Sequence, residues 1–184
     1  MKNRSTASLT LVLLLCPIVS ANGQDAKKDD TVQSCPMHKQ HMTENSHRAA
    51  VEKHGDQAMG FPHETTTHHF RMASEGGAIE VTANDLNDKA SMEAIRSHLS
   101  HIAIMFGNGD FSTPMFVHDG IPPGVTTMKI LKTKIRYSYE EISSGARVSI
   151  QSSDPIAVAA IHDFFRFQIT DHQTGDSLAV ENPR

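Results

Sequence analysis

The feature that most constrains this chain is that its second half repeats the pattern of its first. The segment Thr67-His68-His69-Phe70-Arg71-Met72-Ala73-Ser74-Glu75-Gly76 lies without a gap against Arg136-Tyr137-Ser138-Tyr139-Glu140-Glu141-Ile142-Ser143-Ser144-Gly145. Ile79, Val81 and Asp85 then stand opposite Val148, Ile150 and Asp154. After a three-residue insertion in the first copy, Ala94-Ile95 meets Ala160-Ile161 and Gly109-Asp110 meets Gly175-Asp176. Identities are few, but pattern and length persist, which is the mark of a duplicated structural unit.

Each unit, over about residues 65–110 and 134–176, reads as strand, tight turn, strand, helix. Thr66, His68, Phe70 and Met72 alternate onto one strand face, and Ile79 and Val81 answer them after a turn at Glu75-Gly76-Gly77. Met92, Ile95, Leu99, Ile102 and Phe106 fall at helical spacing between about Asp88 and Phe106, and Gly107 can end that helix. In the second unit Ile135, Tyr137 and Tyr139 alternate, with Val148 and Ile150 on the return strand. Ile156, Ala160, Phe164 and Phe167 give a stripe from Pro155 to Asp171. The expectation is an α+β domain. A duplicated ββα unit forms a four-stranded antiparallel sheet with two helices on one face. The long connection from Phe111 to Lys134, with Pro122-Pro123-Gly124 and a short helix near Thr127–Thr133, can cover a sheet edge or line a pocket.

Ahead of this domain the chain changes character. Lys2 and Arg4 precede an apolar run from Leu9 to Val19, and Ser20 and Ala21 follow. That order is expected of a secretory signal peptide spanning residues 1–23, with a periplasmic or secreted mature protein. The run is too short for a comfortable membrane span. Without Lys2 and Arg4 the formal charge is 15 basic against 21 acidic groups, or −6. An acidic chain without a basic stripe is a poor nucleic-acid binder. Residues 24–58 read as a disordered tail rich in His, Met and Cys, with residues 59–184 as the single folded domain.

Cys16 falls in the export segment, so Cys35 is the one cysteine expected in the mature chain. A lone exported thiol can ligate a metal, pair with a second chain in a homodimer, or stay reactive. Cys35-Pro36-Met37-His38 is followed by His41-Met42, and then by His47, His54 and Met59. Thiolate, thioether and imidazole are the ligands that select copper(I), and a pliable segment can order itself around an ion. Cys35, Met37, His38, His41 and Met42 are therefore candidate primary ligands for copper or a similar soft metal, in metal handling or resistance.

A second constellation lies in the first helix of the repeat. His98, His101 and Met105 fall at i, i+3 and i+7, along one side beside the apolar stripe. They are candidates for a second metal site. A His–Met pair could also hold haem iron axially, so a haem or small-molecule binding domain is the alternative. A third reading is a metal-dependent enzyme using His68, His98 or His101. No Cys-x-x-Cys-His or His-Glu-x-x-His pattern is present. His162 with Arg166, and His172 near a helix C-terminus where a cation is favoured, read as structural.

Two resemblances attach to these residues. Cys35-Pro36-Met37-His38 resembles the small heavy-metal-binding motif of bacterial copper and heavy-metal transport proteins, with Ser34 in place of the usual aromatic and Lys39 after the histidine. It implies metal ligation by that quartet and a metal-transport partner. The blocks Met59-Gly60-Phe61, Thr66-Thr67-His68-His69-Phe70, His98-Leu99-Ser100-His101-Ile102, Pro122-Pro123-Gly124-Val125 and Asp171-His172-Gln173-Thr174-Gly175-Asp176 resemble a family of short, uncharacterised exported bacterial proteins. That likeness spans about 120 residues. It implies one compact domain and no particular mechanism.

Overall fold

The computed structural model describes the backbone over residues 36–181 and the side chains over residues 43–181. The expected export segment lies outside the described residues. Strand β1 (Thr66–Ala73) turns through Ser74-Glu75 into β2 (Gly76–Ala83), and β3 (Arg136–Ile142) turns into β4 (Gly145–Gln151). All pairings are antiparallel and the order is β1-β2-β4-β3. The two hairpins join through β2 and β4, in a register that sets Ile79 opposite Val148. These are residues the two sequence units place in equivalent positions.

Alternation then decides the faces. Phe70 and Met72 of β1, Ile79 and Val81 of β2, and Ala146, Val148 and Ile150 of β4 are all buried on one side. Helices α2 (Lys89–Gly107) and α5 (Pro155–Asp171) cover that side. Phe70 meets Phe165 of α5 at 6.2 Å, and Phe106 of α2 meets Tyr137 at 6.1 Å. Between the helices, Phe106, Phe111 and Phe164 form a triangle of rings. At Gly77 any side chain would run into the Phe165 ring, so the glycine lets α5 lie directly on the sheet.

Helices α2 and α5 both start on an aspartate. Asp88 accepts from Ser91 N–H, and Asp154 accepts from Ile156 and Ala157 N–H with Pro155 in the first turn. In α2 all five expected stripe residues are buried. In α5 two of the four expected stripe residues, Ala160 and Phe164, are buried, and Phe167 is half-buried. Ile156 is 65% exposed, and the buried set is Ala157, Ala160, Ile161, Phe164, Phe165, Gln168 and Ile169. Apolar residues occupy more than one side of α5, and packing on the sheet buries the side that leaves Ile156 outward. The long connection holds two short helices, α3 (Ser112–Val117) and α4 (Val125–Ile130), then a single 3-10 turn at Lys132–Lys134.

The reading of residues 24–58 as disordered is corrected over its second half. A helix, α1, runs Pro36–Met59. It is polar nearly all round, so it has little amphipathic signal of its own and depends on docking. His47, Val51, Gly55 and Met59 recur every fourth residue along one side, and Val51 is only 3% exposed. That seam lies on α3, where His54 meets the Phe116 ring at 4.9 Å, and on the C-terminal end of α5. Arg48 donates to Gln173 at 3.1 Å. Among the described residues, no helix is long and apolar enough to cross a membrane.

Candidate functional site

Under the C-terminal half of α1 the core is incompletely filled. A cavity of about 90 Å³ lies between α1, the sheet, α2, α3 and α5. Its apolar wall includes Ile79, Leu99, Ile102 and Phe164. Its polar groups are few and mostly imidazoles. His68, His98, His118 and His172 face it, with Met59, Thr113 and Gln168, and no aspartate or glutamate is among the lining residues.

Each histidine arrives from a different element. His68 stands on the inward face of β1, in line with Phe70 and Met72. Its Nε2 lies 3.1 Å from Sδ of Met59, the last residue of α1. Burial pulls its imidazole down to about 4, and the charges of His98, His63 and His69 act in the same direction. His98 comes from α2. Burial and then His101 lower it to about 4. Buried Phe61 packs against both rings, stacked on His68 at 6.3 Å and edge-on to His98 at 5.8 Å. His98 has no hydrogen bond among the described residues. His172 follows the last turn of α5 and stacks on Phe70 at 5.9 Å. Burial is the main cause that brings it down to about 3, ahead of the charges of His118 and His68. The expectation that a helix C-terminus would favour a cation here is overturned, because a buried imidazole loses more solvation than the dipole returns.

His118 ends α3 and is buried. Its Nδ1 donates to Asp171 Oδ2 at 2.6 Å, and its Nε2 lies 3.0 Å from Gln168 Oε1. Asp171 Oδ1 accepts from His47 Nε2 at 2.8 Å. Burial raises the Asp171 carboxyl, but hydrogen bonds and charge from His47 and His118 outweigh it and leave the carboxyl low. The Gln168 amide nitrogen is buried without a partner. Asp171 fixes a proton on His118 Nδ1, so a neutral ring presents a lone pair at Nε2. Turning the Gln168 amide over would give that lone pair a donor and the amide nitrogen a partner.

The sequence-expected ligands divide into three groups. Cys35 lies outside the described residues. Met37, His38, His41 and Met42 lie in the first turns of α1, and their side chains lie outside the described residues. His54 and Met59 are carried away from them by the helix. At about 1.5 Å of rise per residue, His41 lies about 27 Å along the axis from Met59, so one ion cannot take both. In the second constellation, His98 and His101 border one shallow depression beside Met59 and Ile104, which excludes Met105. Met105 instead accepts a weak contact from Thr113 Oγ1 at 3.8 Å. His101 is exposed. The depression that His98 and His101 share does not include Met105, so the three are not brought to one space.

His162 and Arg166 are structural. His162 Nε2 lies 2.9 Å from the Ala73 carbonyl and 3.1 Å from that of Gly76, tying α5 to the β1–β2 turn. Arg166 pairs with Asp163. Among the described residues, no three His, Cys, Asp or Glu side chains gather as a metal cage. The wall that does assemble mixes imidazole with thioether. Sequence order conceals it, because Met59, His68, His98, His118 and His172 span most of the domain. No protein-family model, curated protein or solved structure matches this chain.

Proposed function

We propose that this is an exported, periplasmic protein that binds a soft metal ion, copper(I), in metal handling or resistance. The observation that carries the reading is the chemistry of the cavity wall, which four imidazoles and a thioether line without a carboxylate among the lining residues. His68, His98 and His172 are neutral at ordinary pH, so they offer lone pairs without first releasing a proton. A soft donor set in apolar surroundings suits copper(I) and disfavours hard, oxygen-seeking cations. The Cys35-Pro36-Met37-His38 resemblance, with His41 and Met42 following it in the sequence, supports the same class of ion.

A haem occupant is less well supported. The cavity of about 90 Å³ is well below the roughly 300 Å³ at which drug-sized ligand sites begin. A macrocycle would need α1 to leave its seat.

The test is anaerobic titration of the mature protein with copper(I) against a chromophoric chelator. Binding stronger than that of a histidine-poor control protein is expected. Cys35→Ser should weaken it, and unchanged copper affinity in that variant under reducing conditions would remove the N-terminal donors from the proposal.

A further inference from the structure

We infer that the folded domain holds its own copper(I) site, formed by Met59 Sδ, His68 Nε2 and the His98 imidazole. This rests on the soft-metal reading above and assigns it to three residues that lie outside the Cys35 segment.

The geometry of the first pair is already close to that of shared ligation. First-row metal bonds of about 2.3 Å to sulfur and about 2.0 Å to nitrogen leave two donors about 3.0 Å apart at a right angle and about 3.7 Å apart at a trigonal one. Sδ of Met59 and Nε2 of His68 are 3.1 Å apart. An ion could enter between them with a small opening movement. His98 faces the same space from α2. It borders the main cavity with His68 and Met59, and the shallower depression outside with Met59 and His101. Met59 is thus common to both spaces, at the point where the cavity approaches the surface.

The surroundings support a ligand role. A buried imidazole ordinarily satisfies its nitrogens with backbone or carboxylate partners. Buried His118 does so, half-buried His162 and His69 also find carbonyl or carboxylate partners, and His54 Nδ1 is buried without one. His98 makes only the ring contact with Phe61. The one polar contact of the His68 ring is to a thioether, a weak acceptor. Phe61 packs against both rings and shields their inner sides from water. Three donors of this softness match the low coordination numbers copper(I) accepts, and the site needs no cysteine.

The site is also separate from the Cys35 segment. The helix that carries Met59 into the domain holds its own first turns away, so the mature chain should take two ions independently.

The experiment is anaerobic copper(I) titration of the complete mature chain, with stoichiometry read against bicinchoninate, for the unaltered protein, Cys35→Ser, Met59→Leu and His98→Gln. Two equivalents are expected for the unaltered chain. Cys35→Ser should lose one of them. Met59→Leu and His98→Gln should each lose the other, with at least a tenfold fall in its affinity and no change in the Cys35-dependent one. Methyl-labelled methionine gives a readout free of mutation, because the Met59 methyl resonance should shift and saturate as the second equivalent is added. A stationary Met59 resonance, or two equivalents retained in both Met59→Leu and His98→Gln, overturns the inference. One equivalent, abolished by Cys35→Ser alone, overturns it and confines the broader proposal to the Cys35 segment, without the cavity. No copper bound by the unaltered chain overturns both.

Discussion

Asp171 and His118 meet at 2.6 Å, with the histidine side chain almost wholly buried, and the second oxygen of the same carboxylate holds His47 of α1 at 2.8 Å. One side chain at the end of α5 thus fastens both α3 and the helix that roofs the cavity. An amide in its place keeps one acceptor oxygen where there were two, so His118 or His47 loses its partner, and leaving the buried group unpaired costs about 1–3 kcal/mol. Asp171→Asn should lower unfolding stability by that amount in urea denaturation. It should also speed amide exchange in α1 more than in α2. His47→Ala breaks only the half-exposed arm of the pair and should cost less than about 1 kcal/mol. Equal losses in the two variants would mean that Asp171 does not couple α1 to the core.

The cavity histidines make stability depend on pH in a defined direction. His68 and His98 are held to about 4 and His172 to about 3, below the ordinary 6.5. The unfolded chain therefore takes up protons that the folded chain refuses. Their contribution is complete above about pH 6.5 and is lost as pH falls towards 4. One such group weakens the fold by about 2 kcal/mol at pH 5, and neighbouring imidazoles will sum to less than three times that. Asp171, whose carboxyl is held low, adds its loss only below the ordinary carboxylate range. Urea midpoints at pH 7.5, 6.0 and 5.0 should fall steadily without added metal. Imidazole resonances of His68, His98 and His172 should not titrate above pH 5. A flat stability between pH 7.5 and 5.0 would refute the neutral cluster.

The sheet and α2 are legible in the sequence because their signals are local. Alternation over Thr66–Met72 and the Met92-Ile95-Leu99-Ile102-Phe106 stripe each report a face without reference to the rest of the chain. In α5, apolar residues fill more than one face, so the spacing of Ile156, Ala160, Phe164 and Phe167 does not single out the buried side, which runs through Ala157, Ile161, Phe165 and Gln168 as well. Helix α1 hides for the opposite reason. Its docked seam contains one aliphatic residue, Val51, between a histidine, a glycine and a methionine, and polar residues crowd the remainder. The cavity was legible only as scattered histidines. Nothing in the spacing of Met59, His68, His98, His118 and His172 says that β1, α2, α3 and α5 deliver them to one space.

Two glycines separate backbone strain from lack of room. A Cβ on Gly77 would overlap the Phe165 ring and the Arg71 carbonyl, so Gly77→Ala must push α5 off the sheet. A loss of about 3 kcal/mol or more is expected, at the upper end of overpacking costs. Gly60 has φ of 77° and open space around it. Gly60→Ala should therefore cost only the left-handed backbone penalty of about 1–2 kcal/mol. Thermal or urea unfolding of the pair checks the ranking, and a larger loss at Gly60 would show that the turn after α1 is more tightly enclosed than its geometry indicates.

The seam of α1 can be tested from both directions. Val51 is buried against the domain, and Val51→Ala should cost about 1–2 kcal/mol. On an undocked helix the same change would fall within about 0.5 kcal/mol of zero. Gly55 lies one turn further along, has ordinary helical backbone, and a Cβ there would meet only the Met59 methyl, at 3.6 Å. Gly55→Ala should stabilise the helix by about 0.5–1 kcal/mol. Because Gly55 also lines the cavity, the added methyl narrows that space and restricts the Met59 side chain. Stability and ligand affinity should then move in opposite directions, with a higher unfolding midpoint and weaker binding of copper(I) at the Met59-dependent site. If both rise together, α1 closes the site by its helicity alone. If neither changes, Gly55 does not face the cavity.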